Sequence, residues 1–149
     1  MTRGDIESRG AGERSADSTP GTERTPRVAA ARKLLRRAGR DRAGRFLVEG
    51  AQAVREALAA VTVHELFVTA VAAERHPELV EAAERSGARV SPVTDKAAAG
   101  LSETVTPQGI VAVCDLLDVP VATALAGVPG FVTVCDGISD PGNVGTVIR

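Results

Sequence analysis

The chain of 149 residues has room for one domain, or for one small domain and part of another. It carries 18 basic and 19 acidic residues, so its total charge indicates no particular partner. With three Phe and no Trp or Tyr, it is poorly suited to stacking single-stranded bases on an aromatic platform. It has neither a run of about 18 apolar residues nor a hydrophobic N-terminal signal region, so we expect a soluble, cytoplasmic protein with no membrane partner.

Residues 1–26 are rich in Gly, Ser, Thr, Pro and mixed charge, and contain almost no large apolar side chain. Such a segment cannot bury enough surface to offset the entropy that it would lose on ordering. We therefore expect a disordered tail over residues 1–26.

The next segment has helical periodicity. Ala31, Leu34, Leu35 and Ala38 follow the spacing i, i+3, i+4, i+7, and basic residues occupy the other faces. This pattern predicts a basic amphipathic helix that ends near Gly39.

Charge is distributed unevenly along the chain. Residues 27–49 contain eight basic and two acidic residues, whereas residues 50–149 contain six basic and twelve acidic ones. A concentrated basic patch can steer a polyanion whatever the total charge is. Charge alone leaves a merely solvated helix face as an equally good interpretation.

Strand and helix patterns alternate after the basic segment. Strands are expected at 45–50, 65–70, 88–93 and 109–116, the third weakened by Pro92 and so placed at an edge or with Pro92 at a strand end. Helices between them are indicated by Val54, Ala57, Leu58 and Val61, by Pro77 ahead of Leu79, Val80 and Ala83, and by residues 94–101 with Thr94 as N-cap. The alternation predicts βαβ units, in a mostly parallel sheet covered on both faces, within an α/β domain at 27–117.

Residues 118–130 are small or proline-rich and are expected to link this domain to a second one, whose first strand is residues 131–135. Cys114 and Cys135 each end an apolar run and are expected to be buried, reduced thiols, with no disulfide and no metal site. His64 and His76 lack the carboxylate or cysteine spacing of a metal site or a catalytic triad, and we assign them no role. Glu49 is expected to form an ion pair with an arginine or to cap backbone N–H groups.

The segment 136–149, "DGISDPGNVGTVIR", predicts a turn and a helix start. Asp140 is suited to the N-cap and Pro141 to the first helical position, while Gly142 and Gly145 leave the backbone N–H groups accessible. On this helix Val144, Val147 and Ile148 form an apolar stripe, and Asn143 and Arg149 flank it. Composition alone favours an ordinary capped helix.

The same segment resembles the first signature motif of the SpoU/TrmH branch of the SPOUT RNA methyltransferases, Asp-Pro-x-Asn-x-Gly-x-x-x-Arg. Asp140, Pro141, Asn143, Gly145 and Arg149 match it at the family's spacing. Residues 46–58 and 106–114 resemble the small N-terminal substrate-binding domain of these enzymes, an α/β sandwich like that of certain kink-turn-binding ribosomal proteins. The resemblance covers residues 27–149.

The resemblance implies transfer of a methyl group from S-adenosylmethionine to a ribose 2′-hydroxyl in structured RNA, most often ribosomal or transfer RNA; we expect ribosomal RNA. It implies that Asn143 and Arg149 are catalytic-site residues, that Asp140, Pro141, Gly142 and Gly145 shape the turn, and that whole family members pair as homodimers. For RNA contact we nominate the basic residues of the first segment, with Arg42 and Arg45 ranked highest as loop residues. The set is Arg32, Lys33, Arg36, Arg37, Arg40, Arg42 and Arg45.

In the family, the cofactor is bound in a trefoil knot by later motifs that residues 1–149 do not contain. We therefore expect the chain to be the N-terminal portion of a longer methyltransferase, with a truncated SPOUT domain at 131–149 that neither binds the cofactor nor methylates RNA by itself. Two alternatives remain: a non-catalytic RNA-binding module, which has no reason to carry the 131–149 motif, and a nucleotide-binding enzyme, which would need a phosphate loop that the sequence lacks.

Overall fold

The computed structural model describes residues 19–127 and 129–148. They form eight α-helices, four strands and a 3-10 turn at Lys33–Leu35. The helices are α1 Pro26–Arg32, α2 Arg37–Ala43, α3 Ala51–Ala60, α4 Ala70–Arg75, α5 Pro77–Arg85, α6 Asp95–Ala99, α7 Val121–Ala124 and α8 Pro141–Ile148. The strands are β1 Arg45–Glu49, β2 Val63–Val68, β3 Arg89–Pro92 and β4 Ile110–Asp115.

The four strands form one mixed sheet in the order β1-β4-β2-β3. Only β2 and β3 are parallel, whereas β4 runs antiparallel to both β1 and β2. The prediction of a mostly parallel sheet is therefore wrong, because β4 enters between β1 and β2 from the opposite direction. Strand β3, which ends in Pro92, lies at an edge of the sheet as predicted.

Both faces of the sheet are covered, as predicted. Along β4, Ile110, Ala112 and Cys114 point to one core, while Val111 and Val113 point to the other. This is the two-residue alternation of a strand that is buried on both sides.

The core on the first face includes Val54 and Ala57 of α3, Leu79 and Ala83 of α5, and Leu66 of β2. The core on the second face includes Val28 and Ala31 of α1, Leu34 of the 3-10 turn, Phe67 of β2 and Leu101. The basic segment thus packs its apolar side on the sheet and keeps most of its cations at the surface.

The basic segment is broken into two helices rather than continuous. Arg36 adopts an extended conformation (φ −98°, ψ 139°) between the 3-10 turn and α2. Ala38, predicted in the buried stripe, is exposed. The prediction assumes one continuous helix, and the break at Arg36 changes the direction in which Ala38 faces. The glycine that ends the basic helical segment is Gly44 (φ 62°), the C-cap of α2. Gly39, predicted for this role, lies inside α2. A Cβ atom at Gly39 would come within 1.9 Å of the carbonyl oxygen of Lys33, so Gly39 permits the close approach of α2 to the 3-10 turn.

The predicted disordered tail is wrong for residues 19–26. Gly21 forms a parallel bridge with Val93: its N–H donates to the carbonyl of Pro92 (2.8 Å), and its own carbonyl accepts from Thr94 (3.0 Å). Backbone pairing with the end of β3 therefore orders a segment that has little to bury. Residues 1–18 lie outside the described residues.

Two threonines cap helices in this part of the chain. The hydroxyl of Thr94 accepts from the N–H of Ala97 (3.2 Å), which confirms the predicted N-cap of α6, and Thr69 does the same for Ala72 in α4 (3.2 Å).

The chain divides into two compact units between Leu116 and Leu117. In the second unit, residues 131–135 form no strand, because a strand is defined by a ladder partner and none of the described residues pairs with them. Phe131 and Val134 are exposed (84% and 83%), as are Val147 and Ile148 of the predicted α8 stripe. Cys135 is exposed, which corrects its predicted burial. No helix in the described ranges is long and apolar enough to span a membrane.

Candidate nucleic-acid interface and methyltransferase motif

The seven nominated cations all lie in or beside α1, α2 and β1, but their local roles differ. Arg40 Nη1 donates to the carbonyls of Leu34 (3.2 Å) and Leu35 (3.0 Å). Arg40 therefore caps the 3-10 turn and holds α2 against it. Because Nη1 is used within the protein, we regard Arg40 primarily as a structural residue.

Two other arginines have partners at the surface. Arg37 forms an ion pair with Asp41 on α2 (3.7 Å), with both side chains largely exposed. Arg32 Nε donates to the carbonyl of Gly100 (3.2 Å), which fixes the guanidinium between α1 and the end of α6. An exposed i,i+4 pair contributes little stability, but it partly neutralises the Arg37 charge.

Among the described residues, Lys33, Arg36 and Arg42 have no ion-pair or hydrogen-bond partner for their side chains, and all three are exposed. The residues ranked highest, Arg42 and Arg45, lie in α2 and at the start of β1, not in a loop as predicted. The reason is that the helical segment continues to Ala43, one turn further than the Gly39 boundary allowed.

A surface notch opens between α1 and α2. It has a volume of about 310 Å³ and is lined by Ala29, Arg32, Lys33, Arg36, Ala38 and Gly39. Three of these six residues are cationic and none is aromatic. The notch is therefore suited to an anion rather than to a stacked base.

Glu49 has different partners from those expected. Its Oε1 accepts from the hydroxyls of Ser102 (2.6 Å) and Thr104 (2.9 Å). In the same loop, Gln108 Oε1 accepts from the N–H of Ala51, the first residue of α3 (3.2 Å). Glu49 and Gln108 thus fasten the loop between α6 and β4 onto the β1–α3 turn, at a sequence distance that no local pattern can reveal.

His64 also has a partner that the sequence did not indicate. Its Nε2 lies 2.5 Å from Asp115 Oδ1, where a ring N–H donates to the carboxylate across the β2–β4 pair. This hydrogen bond from His64 is the main reason that the pKa of Asp115 is lowered, with a smaller contribution from Arg45 on β1. Burial raises the pKa of the neighbouring Cys114 thiol to about 11, so Cys114 stays protonated and unreactive.

The second unit carries the turn and helix of the signature motif. The N–H of Asn143 donates to Asp140 Oδ1 (2.9 Å), and the N–H of Val144 donates to the Asp140 carbonyl (3.3 Å). Asp140 is therefore the N-cap of α8, as predicted. A Cβ atom at Gly142 would come within 2.9 Å of Asp140 Oδ1, so the glycine leaves space for the capping carboxylate.

Asn143 is exposed on the first turn of α8, with its side chain directed to solvent and its backbone held by the cap. Arg149 lies outside the described residues. No group of three or more His, Cys, Asp or Glu residues suited to a metal ion is found in the part of the chain that the structure describes.

The mixed sheet, covered on both faces and joined to the basic segment, defines an α/β domain. Residues 25–112 match the family model of the MRM3-like substrate binding domain. The chain belongs to this family and, through it, to the SpoU/TrmH RNA methyltransferases.

Curated relatives agree with this assignment. The chain is 34% identical over 119 residues to the 23S rRNA (guanosine(2553)-2′-O)-methyltransferase RlmP of Bacillus subtilis, covering 79% of this chain and 44% of the relative. It is 31% identical over 144 residues to the mitochondrial rRNA methyltransferase 3A of Danio rerio, covering 93% of this chain and 32% of the relative. The chain thus spans less than half the length of these curated relatives.

Solved structures share the fold. The SpoU methyltransferase AviRb from Streptomyces viridochromogenes, solved in complex with the cofactor AdoMet, aligns with a TM-score of 0.54 at 26% identity, covering 85% of this chain and 48% of that one. An RNA 2′-O ribose methyltransferase aligns with a TM-score of 0.63 at 24% identity, covering 87% and 50%, and shows the shared fold alone.

Proposed function

We propose that this chain acts in the transfer of a methyl group from S-adenosylmethionine to a ribose 2′-hydroxyl of ribosomal RNA. The observation that carries the proposal is the joint occurrence of the substrate-binding domain at residues 25–112 and the Asp140-capped helix bearing the signature motif. The rRNA 2′-O-methyltransferases among its relatives support ribosomal RNA as the substrate.

In this proposal the first unit holds the RNA. Its cations contact backbone phosphates, so affinity depends on salt more than on sequence. Replacing Lys33, Arg36 and Arg42 together by Ala should lower the magnitude of the salt slope by about 1 for each backbone phosphate that these side chains contact. An unchanged slope in a binding titration of this triple variant with structured ribosomal RNA would show that the cations do not contact RNA.

The second unit contributes Asn143 and Arg149 to the reacting end of the RNA. S-adenosylmethionine supplies a methyl group already activated on a sulfonium, so the protein's tasks are to orient the ribose and to stabilise charge on its 2′-oxygen. A guanidinium stays protonated up to about pH 12, which makes Arg149 a poor base. We assign Arg149 to clamping a phosphate and stabilising a developing alkoxide, and Asn143 to organising the site by hydrogen bonds.

Taken by itself, the second unit does not fit an enclosed cofactor site. Phe131 and Val134 are exposed, and the N–H of Asn143 is already used by the Asp140 cap. We therefore propose that residues 1–149 alone bind RNA without binding S-adenosylmethionine.

The methylation itself is tested in the native organism. Disruption of the gene that encodes this sequence should remove one ribose 2′-O-methyl group from ribosomal RNA, detected as a newly alkali-sensitive position. Reintroduction of the wild-type gene should restore the modification, whereas the Asn143→Ala and Arg149→Ala genes should not. An unchanged methylation map after disruption would contradict the proposal.

A non-catalytic RNA-binding module is the second candidate. It is favoured by the first unit, which has its own two-sided core and an unpaired basic surface. The gene test separates the two candidates, because a module without catalysis would leave every ribose methyl group in place while the chain still bound RNA.

A further inference from the structure

We infer that the notch between α1 and α2 is a binding site for one backbone phosphate of RNA. This inference rests on the proposed RNA-binding function and narrows it. The seven cations of the segment are not equivalent: a subset that shares one concave surface forms the site.

The cations of the segment differ in the partners that they already have. Arg40 Nη1 donates to the carbonyls of Leu34 and Leu35, and Arg37 is paired with Asp41. In contrast, neither Lys33 nor Arg36 has an ion-pair partner among the described residues. Unpaired cations on a concave surface are the ones that gain most by meeting an anion, because no internal ion pair must first be broken.

The walls of the notch are fixed by the packing of the surrounding helices. Arg32 Nε is tied to the Gly100 carbonyl (3.2 Å), which orients its guanidinium along one wall. Gly39 forms part of another wall, where the backbone passes so close to Lys33 that no Cβ could be accommodated. Both the tethered arginine and the glycine are therefore built into the packing of α1, α2 and α6, and the notch is preorganised.

The size and the lining of the notch also suit a phosphate. A volume of about 310 Å³ is at the lower end of small-ligand sites, which run from about 300 to 1,000 Å³. Its uncharged lining consists of Ala29, Ala38 and Gly39, which offer no aromatic face for a base. A phosphate flanked by its two sugars matches both the size and the charge.

Two adjacent alanines provide a sharp test. Ala29 lines the notch and Ala30 does not, yet both are exposed on α1. Ala29→Glu should place a carboxylate among the cations, weaken binding of structured ribosomal RNA by about tenfold and reduce the salt slope by about 1. Ala30→Glu, with the same net charge, should weaken it by about twofold or less. Equal losses of RNA affinity in the two variants would overturn the assignment of the phosphate site to the notch.

Two adjacent arginines repeat the comparison by removing charge. Arg36→Ala should weaken RNA binding by about fivefold or more, whereas Arg37→Ala, which loses a cation already paired with Asp41, should change it by less than about twofold. Thermal unfolding should give the same midpoint for all four variants, since each position is exposed. A larger loss for Arg37→Ala than for Arg36→Ala would overturn the assignment.

A separate readout keeps this inference distinct from the proposed function. Inorganic phosphate titrated into the chain should shift the amide NMR signals of Lys33, Arg36 and Gly39, and Ala29→Glu should abolish these shifts. If wild-type protein fails to bind RNA, the proposed function is wrong, and the phosphate titration still decides whether the notch binds an anion. Changes in amide signals that are spread evenly over the other basic residues would contradict a phosphate site in the notch.

Discussion

The two units of this chain bury similar kinds of side chains to very different extents. In the first, Phe67 is 1% exposed within a core that covers both faces of a four-stranded sheet. In the second, Phe131 is 84% exposed in a segment without strands. Both phenylalanines lie in apolar stretches of the sequence. The contrast teaches that an apolar run specifies a strand only when ladder partners are available to it.

The largest expected effect comes from exchanging these phenylalanines for alanine. Phe67→Ala should lower the free energy of unfolding by about 3–5 kcal/mol, because it opens a cavity in the core. Phe131→Ala should change it by less than about 0.5 kcal/mol. Chemical denaturation of the two variants measures both values, and similar losses would mean that residue 131 is buried in solution.

Two glycines of the first unit sharpen the comparison at the level of the backbone. Gly109 (φ 74°) and Gly44 (φ 62°) are both left-handed, but a Cβ atom at Gly109 would come within 2.6 Å of Thr69 Oγ1, whereas at Gly44 it would meet nothing within 4 Å. Gly109→Ala should therefore cost about 1–3 kcal/mol of unfolding free energy, clearly more than Gly44→Ala. Equal costs would indicate that backbone strain alone matters and that the contact with Thr69 does not.

Each unit has a helix with a side-chain N-cap, but the two helices differ in how they are packed. Thr94→Ala should lower the unfolding free energy by about 1 kcal/mol, since α6 packs into the core. Asp140→Ala should instead reduce the helical secondary chemical shifts of residues 141–148, because α8 depends more heavily on its own cap. Full retention of those shifts would show that α8 is stabilised by something other than Asp140.

The smallest effect expected is a dependence on pH. The hydrogen bond from His64 lowers the pKa of Asp115 in the folded protein. Its contribution to stability is thus fully present above the unfolded-state pKa of a carboxyl, about 4, and is lost as the pH falls through the lower folded-state pKa. Asp115→Asn should flatten this part of the stability profile, whereas Asp118→Asn, at an exposed position, should not.

The elements that could be predicted from sequence were those fixed by local patterns. Strand β4, the Thr94 cap and the Asp140-Pro141 helix start each depend on a few consecutive residues, and the structure has all of them. The motif that indicated the methyltransferase family is likewise contiguous.

The features that could not be predicted depend on distant partners. The antiparallel position of β4, the His64–Asp115 hydrogen bond and the attachment of Glu49 to Ser102 join residues that are about 40 or more positions apart. The break at Arg36 was missed because the apolar spacing continues across it, although the residues on its two sides belong to separate helices. The extent of the notch followed from that break.

The most direct test of the contrast between the units is a pair of calorimetric titrations of residues 1–149, one with structured ribosomal RNA and one with S-adenosylmethionine. The account predicts salt-dependent heat of binding with the RNA and none above dilution with the cofactor, because the proposed phosphate site lies in the first unit, whereas Phe131 and Val134 of the second unit are exposed. Tight, stoichiometric binding of S-adenosylmethionine by this polypeptide, or no binding of RNA at low salt, would contradict it.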